Sequence, residues 1–356
     1  MRPTTLVIVA AVALLGLFAA LDTLRGTSTA TSQPTSTGEQ PVQVETVVLE
    51  PEIEERAEVQ RRLRTAGVTG TLFMTEEDCR LRALSLPDLR WVLDSGAQGL
   101  QCEFAVAPDS RRVVRFGGGL SWSPDGRMSA SCEASAVAVH GRTGQEVGRL
   151  RGYCAPAWKP DGTFTAARAG TLVGVRASCE QAARECEEKV ILSSADLEPA
   201  LRAGSTELRV LQAPSIRQAI WLSDSRVALI IRARVRDQPG STYDLLAIFD
   251  GGGLVGEPVA NLHFDELVAS PTRRYLTAHG SAFRGLSFVD SDGRLLARNP
   301  IASGHHAAWS PDERWTAIAT GGSTYVFRTA EIEFFNSDSR PRAIRIPVHA
   351  ADVEWR

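Results

Sequence analysis

The sequence predicts an all-β fold, a six-bladed β-propeller that follows an N-terminal transmembrane helix and a flexible stalk. Three observations carry this prediction: a tryptophan-anchored turn motif that recurs along the chain, a spacing of its copies typical of propeller blades, and an uncharged apolar run near the N-terminus. The chain has 356 residues and a net charge of −3. It contains no basic stripe with interleaved aromatic residues, which argues against a nucleic-acid partner.

The N-terminal region, residues 1–26, is interpreted as a signal anchor. Arg2 precedes the uncharged run Leu6 to Leu21, and the stretch from Thr4 to Leu24 is long enough for a helix to cross a bilayer. A cleaved signal peptide is the alternative, but the obvious cleavage sites place Leu17 or Phe18 where a small residue is required. Either interpretation exports the rest of the chain, so we expect a single-pass cell-membrane protein with an extracytoplasmic domain.

Residues 27–50 and 51–68 connect this anchor to the repeats. The first segment is polar and rich in Ser, Thr and Pro, and it reads as a flexible linker because it cannot bury enough apolar surface to order itself. The second segment has acidic residues first, basic residues last and Gly67 near its end, which predicts a short helix.

The repeat is clearest in "SWSPDGRMSA" from Ser121. Its anchoring positions are separated by 36, 63, 48, 40 and 46 residues, and they are Trp122, Trp158, Trp221, Ala269, Trp309 and Trp355. Pro, Asp and Gly are suited to a tight turn, so each copy is expected to end an inner strand and begin the next strand outward. A degenerate copy at Phe104 lies too close to Trp122 for a full blade and is interpreted as an extra hairpin.

The two ends of the repeat region, residues 69–356, complement each other. Three strand-like segments from Thr69 to Asp94 lack an inner strand, and the C-terminal "ADVEWR" from Ala351 is an inner strand without followers. One blade built from both ends closes the ring and removes two exposed sheet edges. This gives six blades, with five or seven as alternatives.

The longest interval, between Trp158 and Trp221, contains two additions to the repeat. We expect a disulfide-stapled loop at Cys179–Cys186 and a short helix at Ser194–Gly204. Both are predicted to project from one face of the ring and to be dispensable for blade packing, which makes them candidate contact elements.

All six cysteines lie beyond the anchor, and an even number in an exported domain favours disulfides. Their spacings lack the C-x-x-C pairs of zinc or redox sites. Six cysteines allow fifteen pairings, and pairing of sequence neighbours is chosen because each bond would close a short loop: Cys79–Cys102, Cys132–Cys154 and Cys179–Cys186.

The "WSPDG" turn at Trp122 and its variants at Trp158, Trp221 and Trp309 resemble the WD-type repeats of TolB-like six-bladed propellers. The resemblance covers the chain from about Thr69 to the C-terminus, and the copies near Ser223 and Ser270 depart from the pattern. It implies a propeller that acts as a binding or scaffold module. The layout also resembles membrane-anchored propeller proteins of actinobacteria, which implies location only.

Motifs for enzyme chemistry are weak. "GGGLVG" from Gly251 matches a dinucleotide fingerprint but is followed by Pro258 and a strand-like segment rather than a helix, so a glycine-rich hairpin is expected. "DSDGR" from Asp290 lacks the distal ligands of a calcium loop and is interpreted as a turn. His and Ser near Ala278 are sequence neighbours and do not make a triad. We therefore predict no catalytic set, no cofactor and no metal site.

Candidate binding residues follow from the architecture, since the loops that enter the inner strands line one mouth of a propeller channel. These residues are Tyr153, Arg217, His305, His306, His349 and Asp352. His305 and His306 are adjacent and face opposite ways on an extended strand, which argues against joint metal ligation.

The sequence thus favours a non-catalytic binding or scaffold module for a protein or glycan of the cell envelope. The alternative is a hydrolase or lyase at the channel mouth, which requires convergent carboxylates or several inward-facing histidines.

Overall fold

A computed structural model gives the structure of this chain. It describes residues 51–76, 78–97, 104–107, 113–115, 120–133, 135–177, 187–206, 210–238, 240–280, 286–298, 301, 304–320, 322–336 and 342–356. Within these ranges, no helix combines the length and apolarity needed to cross a bilayer. The predicted anchor (1–26) and linker (27–50) lie outside them, so both remain predictions.

The described chain is mainly antiparallel β-structure. Its first thirteen strands are β1 Gly70–Thr75, β2 Arg80–Leu86, β3 Arg90–Ala97, β4 Phe104–Val106, β5 Val113–Arg115, β6 Leu120–Trp122, β7 Ser129–Glu133, β8 Ala136–His140, β9 Glu146–Arg151, β10 Cys154–Trp158, β11 Phe164–Arg168, β12 Thr171–Gly174 and β13 Lys189–Leu192. The others are β14 Leu211–Trp221, β15 Arg226–Val235, β16 Thr242–Asp250, β17 Gly253–Asn261, β18 Glu266–Ala269, β19 Tyr275–His279, β20 Ser287–Asp290, β21 Leu295–Arg298, β22 Gly304–Trp309, β23 Trp315–Thr320, β24 Ser323–Arg328, β25 Ile344–Ile346 and β26 Asp352–Trp355. The helices are α1 Pro51–Ala66, α2 Glu198–Gly204 and two 3-10 helices, Ser194–Leu197 and Thr329–Asn336.

The strands form six four-stranded sheets, which are the blades. Blade 1 has the order β26-β1-β2-β3, and blades 2 to 6 are β6–β9, β10–β13, β14–β17, β18–β21 and β22–β25. The two copies that depart from the turn pattern, near Ser223 and Ser270, therefore still belong to complete four-stranded blades, which are blades 4 and 5. The copy at Phe104 forms a separate two-stranded sheet, β4–β5, which is the extra hairpin that the sequence predicts.

The turn motif works through its serine as well as its proline and glycine. The Ser123 hydroxyl donates to Asp125 Oδ1 at 2.7 Å, and the Met128 amide donates to Ser123 Oγ at 2.9 Å. Blade 6 repeats these bonds with Ser310 as the pivot. The serine therefore satisfies the backbone group that opens the second strand of the blade, which explains why the motif recurs.

The first strands of the blades surround a common channel. Contacts run from β6 to β10, β14 and β18, then through blade 5 to β22 and on to β26. Strand β4 contacts β26, so the two-stranded sheet lies in the ring beside blade 1. The described ring thus contains six full blades and one short sheet.

The predicted closure is confirmed. β26 pairs with β1 in antiparallel register, with Leu72 opposite Trp355 and Thr75 opposite Asp352. The Thr71 amide donates to Arg356 O at 2.6 Å, and the Trp355 indole N–H donates to Thr69 O at 3.1 Å. Strand β1 therefore has partners on both sides, and the first and last strands of the ring stabilise one sheet.

Apolar clusters lie between neighbouring sheets, and α1 extends one of them. Val59 and Leu63 of α1 are buried in the cluster shared by blades 1 and 6, together with Trp355. The Arg62 side chain donates to Ala343 O, and Arg56 donates to Leu89 O. The helix predicted at 51–68 is thus present, and it packs across the blades at which the ring closes.

The segment Ser194–Gly204 corrects one expectation. It does form a helical segment, but Leu197 is fully buried and Leu201 is 1% exposed. Both pack into the cluster shared by blades 3 and 4. The segment belongs to the core and does not project, because its apolar side chains fill the space between the two blades. The loop Cys179–Cys186 lies outside the described residues.

The disulfide Cys132–Cys154 is confirmed, with a Cα–Cα distance of 5.1 Å. It links the second strand of blade 2 to the inner strand of blade 3. Cys79 is also disulfide-bonded. Cys102, its predicted partner, lies outside the described residues, so that pairing and Cys179–Cys186 remain predictions.

The two glycine-containing motifs are turns, as predicted. Gly251 and Gly252 connect β16 to β17 in a hairpin. The segment after Asp290 connects β20 to β21, with the Gly293 amide donating to Asp290 O at 3.0 Å.

Candidate functional site

The inner strands enclose a cavity of about 810 Å³ that extends along the channel. At one end, which we call the strand-start mouth, it is lined by residues at the beginnings of the inner strands and by two residues level with them, Arg217 within β14 and His279 at the end of β19. The residues at the strand beginnings are Cys154, Asp265, Glu266 and Asp352. At the other end it is lined by residues of the turn motifs, including Ser123, Ser270 and Arg273. The volume lies in the range of small-ligand pockets.

Three of the six residues predicted from the sequence belong to the strand-start mouth. Arg217 and Asp352 line the cavity, and His306 contacts Asp352. The side chain of His305 lies outside what the structure describes.

Two other candidates are not at the channel. Tyr153 is 4% exposed and belongs to the apolar cluster between blades 2 and 3. Its hydroxyl donates to Glu188. The Tyr153 ring therefore lies between two blades, away from the cavity, and its role in binding stays a prediction. His349 is an exposed residue and does not line the cavity.

Four side chains at the strand-start mouth converge in what we call the histidine–carboxylate cluster: Glu266, His279, His306 and Asp352. The two Nδ1 atoms of His279 and His306 are 3.1 Å apart. Glu266 Oε2 lies 3.3 Å from His279 Nδ1 and 3.6 Å from His306 Nδ1. Asp352 Oδ1 lies 3.1 Å from His306 Nδ1. Blades 5, 6 and 1 therefore each contribute to one constellation.

The other ring nitrogen of His279 fixes the orientation of the imidazole. His279 is 2% exposed, and its Nε2 lies 3.1 Å from Thr277 Oγ1 and accepts the Ala307 amide N–H at 3.3 Å. These contacts hold the ring edge-on to His306, with ring centroids 4.6 Å apart. The Nδ1 atom of His279 is thereby directed at Glu266 and His306.

Gln218 occupies the corresponding place in blade 4. Its side chain exchanges two hydrogen bonds with the Leu267 backbone, at 2.7 and 3.1 Å. This contact fixes the position of β18, on which Glu266 stands.

The carboxylates of the cluster have opposite electrostatic behaviour. Burial raises the pKa of Glu266 to about 7, with the negative charge of Asp352 adding to the effect and His306 opposing it. Burial also acts to raise the pKa of Asp352. The attraction to His306, the hydrogen bond with the His306 ring and the attraction to His279 outweigh burial, so that the pKa of Asp352 lies below its ordinary value. The cluster therefore combines one carboxyl that can hold a proton near neutrality with one that stays ionised.

A second acid lies on the next inward-facing position of β26. Glu354 accepts the Val106 amide at 2.5 Å and pairs with Arg356, which in turn donates to Val106 O at 2.7 Å. Burial raises the pKa of Glu354 to about 7 even though Arg356 opposes the shift. This pair joins β26 to β4, so its role is to close the ring.

Arg217 contrasts with these paired groups. Among the described residues it has no hydrogen bond or ion pair, although it lines the cavity, where it is exposed. Burial lowers the pKa of Arg217, and the neighbouring charge of Arg232 adds to the lowering, while Asp244 and Asp265 oppose it. Arg232 itself is held by Asp244 at 2.8 Å. A guanidinium without a partner in a cavity is suited to an anionic ligand.

Sequence reasoning missed Glu266 and His279, but one signal could have found Glu266. In four consecutive blades, 4, 5, 6 and 1, the residue three positions before the anchoring residue of the repeat is polar. These residues are Gln218, Glu266, His306 and Asp352. Polar residues in one column of a propeller repeat must meet at the channel. His279 has no such signal, because it stands on the second strand, opposite Glu266 in register.

Two imidazoles, two carboxylates and a free guanidinium allow two kinds of chemistry. The histidine–carboxylate cluster can hold a cation or transfer protons. Arg217 can bind a carboxylate or another anion.

No protein-family model matches the chain, and no curated protein matches it. Solved structures with a similar fold include Kuenenia stuttgartiensis hydrazine synthase, at 13% identity and a TM-score of 0.34 over 66% of this chain and 88% of that one. The dihydro-heme d1 dehydrogenase NirN in complex with DHE has 16% identity and a TM-score of 0.35, over 74% of this chain and 52% of that one. The Dos1 propeller has 14% identity and a TM-score of 0.40, over 80% of this chain and 68% of that one. At this level of similarity, none of their chemistry transfers to this chain.

Proposed function

We propose that this chain is a membrane-anchored, extracytoplasmic, TolB-like propeller that acts as a non-catalytic binding module. Its partner is a protein or glycan of the cell envelope that presents a carboxylate to the strand-start mouth. The apolar N-terminal run supports the location, and the resemblance of the turn motifs supports the TolB-like assignment.

The observation that carries this proposal is Arg217. Arg356, which also lines the cavity, is paired with Glu354. Arg217 lines the same cavity of about 810 Å³ as an exposed residue and has no such partner among the described residues. A carboxylate can take two parallel N–H bonds from a guanidinium, so a ligand with that group satisfies Arg217 with defined geometry.

The test measures binding of carboxylated polymers to the full-length chain in detergent. Poly-L-glutamate represents an acidic protein segment, polygalacturonate represents an acidic glycan, and dextran is the neutral control. We expect one carboxylated probe to bind and Arg217→Gln to weaken it by about 10- to 100-fold, since a hydrogen bond to a charged group contributes about 1.5–3 kcal/mol. Arg217→Lys should also weaken it, because an ammonium cannot form the paired bonds.

Arg234→Gln is the matched control. Arg234 is exposed on β15 of the same blade and does not line the cavity. It should leave binding unchanged. If neither carboxylated probe binds better than dextran, or if Arg217→Gln and Arg234→Gln behave alike, the proposal is wrong.

A second candidate, a hydrolase or lyase at the channel mouth, is favoured by Glu266. Its pKa is raised to about 7 by burial, and it lies 3.3 Å from His279 Nδ1, which is an arrangement that general acid–base catalysis uses. Turnover of either carboxylated polymer that is lost in Glu266→Gln and retained in Arg234→Gln would favour this function over simple binding.

A further inference from the structure

We propose that Glu266, His279 and His306 form a binding site for one divalent transition-metal ion of the zinc type. The proposal concerns a different part of the strand-start mouth from Arg217 and does not depend on the proposed function. It rests on four observations: the distances among the ligand atoms, the directions of the two imidazole rings, the burial of His279 and the charge of the cluster.

The distances fit a tetrahedral site. Zinc bonds to imidazole nitrogen and carboxylate oxygen at about 2.0–2.2 Å, and tetrahedral angles then separate any two ligand atoms by about 3.3–3.6 Å. The three distances among His279 Nδ1, His306 Nδ1 and Glu266 Oε2 are 3.1, 3.3 and 3.6 Å. A cation can therefore reach all three atoms with only small movements of the side chains.

The directions of the rings point to the same conclusion. Both histidines turn Nδ1 to the shared centre, although this places the two nitrogen atoms 3.1 Å from each other and 3.3 and 3.1 Å from carboxylate oxygens of Glu266 and Asp352. If each Nδ1 carried its own proton, with one N–H donating to Glu266 and the other to Asp352, two N–H groups would still be crowded together at 3.1 Å. A cation takes both nitrogen lone pairs and removes this conflict.

His279 is built into the protein rather than attached to its surface. It is 2% exposed, and its Nε2 is held between Thr277 Oγ1 and the Ala307 amide. A ligand histidine donates the N–H of its outer nitrogen to a neighbouring acceptor, and Thr277 Oγ1, 3.1 Å from Nε2, is in position to accept it. A metal ion at Nδ1 therefore requires the ring proton to be on Nε2, so binding shifts the proton to that atom and breaks the longer, 3.3 Å contact with the Ala307 amide.

The charge of the cluster matches a divalent cation. Glu266 and Asp352 supply two negative charges when both are ionised, and Asp352 Oδ1 lies 3.1 Å from His306 Nδ1. Two imidazoles with carboxylate favour zinc or a neighbouring transition metal over magnesium or calcium, which prefer oxygen atoms alone. Three protein ligands leave one tetrahedral position for water or a bound molecule.

The experiment titrates chelator-treated, full-length protein in detergent with Zn²⁺ and, separately, with Co²⁺. We expect one Zn²⁺ per chain by equilibrium dialysis, release of protons on binding, and a Co²⁺ visible spectrum of four-coordinate type. Glu266→Gln and His306→Asn should each weaken Zn²⁺ binding by at least about 100-fold, more than the 10- to 100-fold effect of losing an outer contact.

His140→Asn is the control, since His140 lies on β8 of blade 2 and does not line the cavity. It should change Zn²⁺ affinity by less than about threefold. Circular dichroism of each variant checks folding, and Glu266→Gln tests the site even if a variant of the buried His279 fails to fold. The proposal is overturned if wild-type protein binds no stoichiometric Zn²⁺, if folded Glu266→Gln and His306→Asn bind it as tightly as His140→Asn, or if Co²⁺ gives a six-coordinate spectrum.

Discussion

Deleting Ala351–Arg356 should unfold the ring, because this strand completes blade 1. Val353 and Trp355 of β26 are 5% and 2% exposed, and both belong to the cluster that also contains Leu63 of α1. Without β26, strand β1 becomes an open edge at the channel. The deletion therefore removes core side chains, ladder hydrogen bonds and the contact with β4 together.

The magnitude follows from the two buried side chains. Removing a buried tryptophan side chain costs about 3–5 kcal/mol, and burying a valine contributes about 1.5–3 kcal/mol. Their joint loss is about 4.5–8 kcal/mol, which approaches the whole free energy of unfolding of an ordinary domain, about 5–15 kcal/mol. We expect the truncated chain to aggregate or to lose its cooperative transition.

A pair of single substitutions separates strand closure from the general effect of losing a tryptophan. Trp355→Ala should lower the melting temperature by about 6–20 °C, since it costs about 3–5 kcal/mol and each kcal/mol shifts a large domain by about 2–4 °C. Trp91, on β3 of the same blade, is 39% exposed, so Trp91→Ala should cost less than about 1 kcal/mol. Thermal unfolding of the full-length chain, followed by circular dichroism, measures both. If the truncated protein or Trp355→Ala melts within a degree or two of wild type, β26 does not hold the ring together.

Three further predictions concern pH, the core helix and the disulfide. Burial raises the pKa of Glu354 from 4.5 to about 7, so the folded state binds the proton of this carboxyl group more tightly than the unfolded state does. The free energy of unfolding that the protonated Glu354 contributes therefore falls as the pH rises from about 4.5 to 7. Glu354→Gln should therefore raise the melting temperature at pH 8 and leave it unchanged at pH 4.5; an equal shift at both would contradict the assignment. Leu201→Ala should lower the free energy of unfolding, measured by chemical denaturation, by about 2–5 kcal/mol. Leu262→Ala is the control, since Leu262 is 66% exposed, and it should change that free energy by less than about 0.5 kcal/mol. Similar effects of the two substitutions would mean that α2 is not part of the core. Replacing Cys132 and Cys154 by Ala, which opens a link with a sequence separation of 22, should cost about 3 kcal/mol, and unreduced, denatured wild type should show no free thiol; two or more free thiols would contradict the disulfide assignment.

The blades were predictable because each copy of the repeat carries its own turn chemistry. Ser123 and Ser310 form the same hydrogen bonds in blades 2 and 6, and this local pattern survives in the sequence wherever a blade begins. Closure was predictable for a different reason. A blade with three strands and a final strand without a sheet each leave unpaired backbone groups, and pairing them satisfies both.

The segment Ser194–Gly204 shows where this reasoning fails. Its helix could be recognised from Pro199 and Gly204, but its destination could not, because a short amphipathic segment can cover a core or project from it. Leu197 and Leu201 fill space between blades 3 and 4 that the repeat pattern does not describe. The position of Tyr153 shows the same limit, since its place in the repeat fixed its height in the ring but did not reveal that its side chain packs between blades 2 and 3.

The candidate site was only partly predictable because propellers assemble sites from equivalent positions in different repeats. Glu266 and His306 are 40 residues apart in the sequence, and His306 and Asp352 are 46 apart, so no local motif connects them. The ring brings them together because each stands three residues before the anchor of its blade, on strands that surround one channel. In blade 3 the same position is Ala155, so the column is polar in blades 4, 5, 6 and 1 but not in blade 3. That asymmetry is not required for blade packing, which needs only the buried tryptophans and apolar side chains between sheets. The column of the repeat that varies in chemistry while the packing columns stay apolar leads to Glu266 and the two histidines around it, which is where the proposed metal site lies.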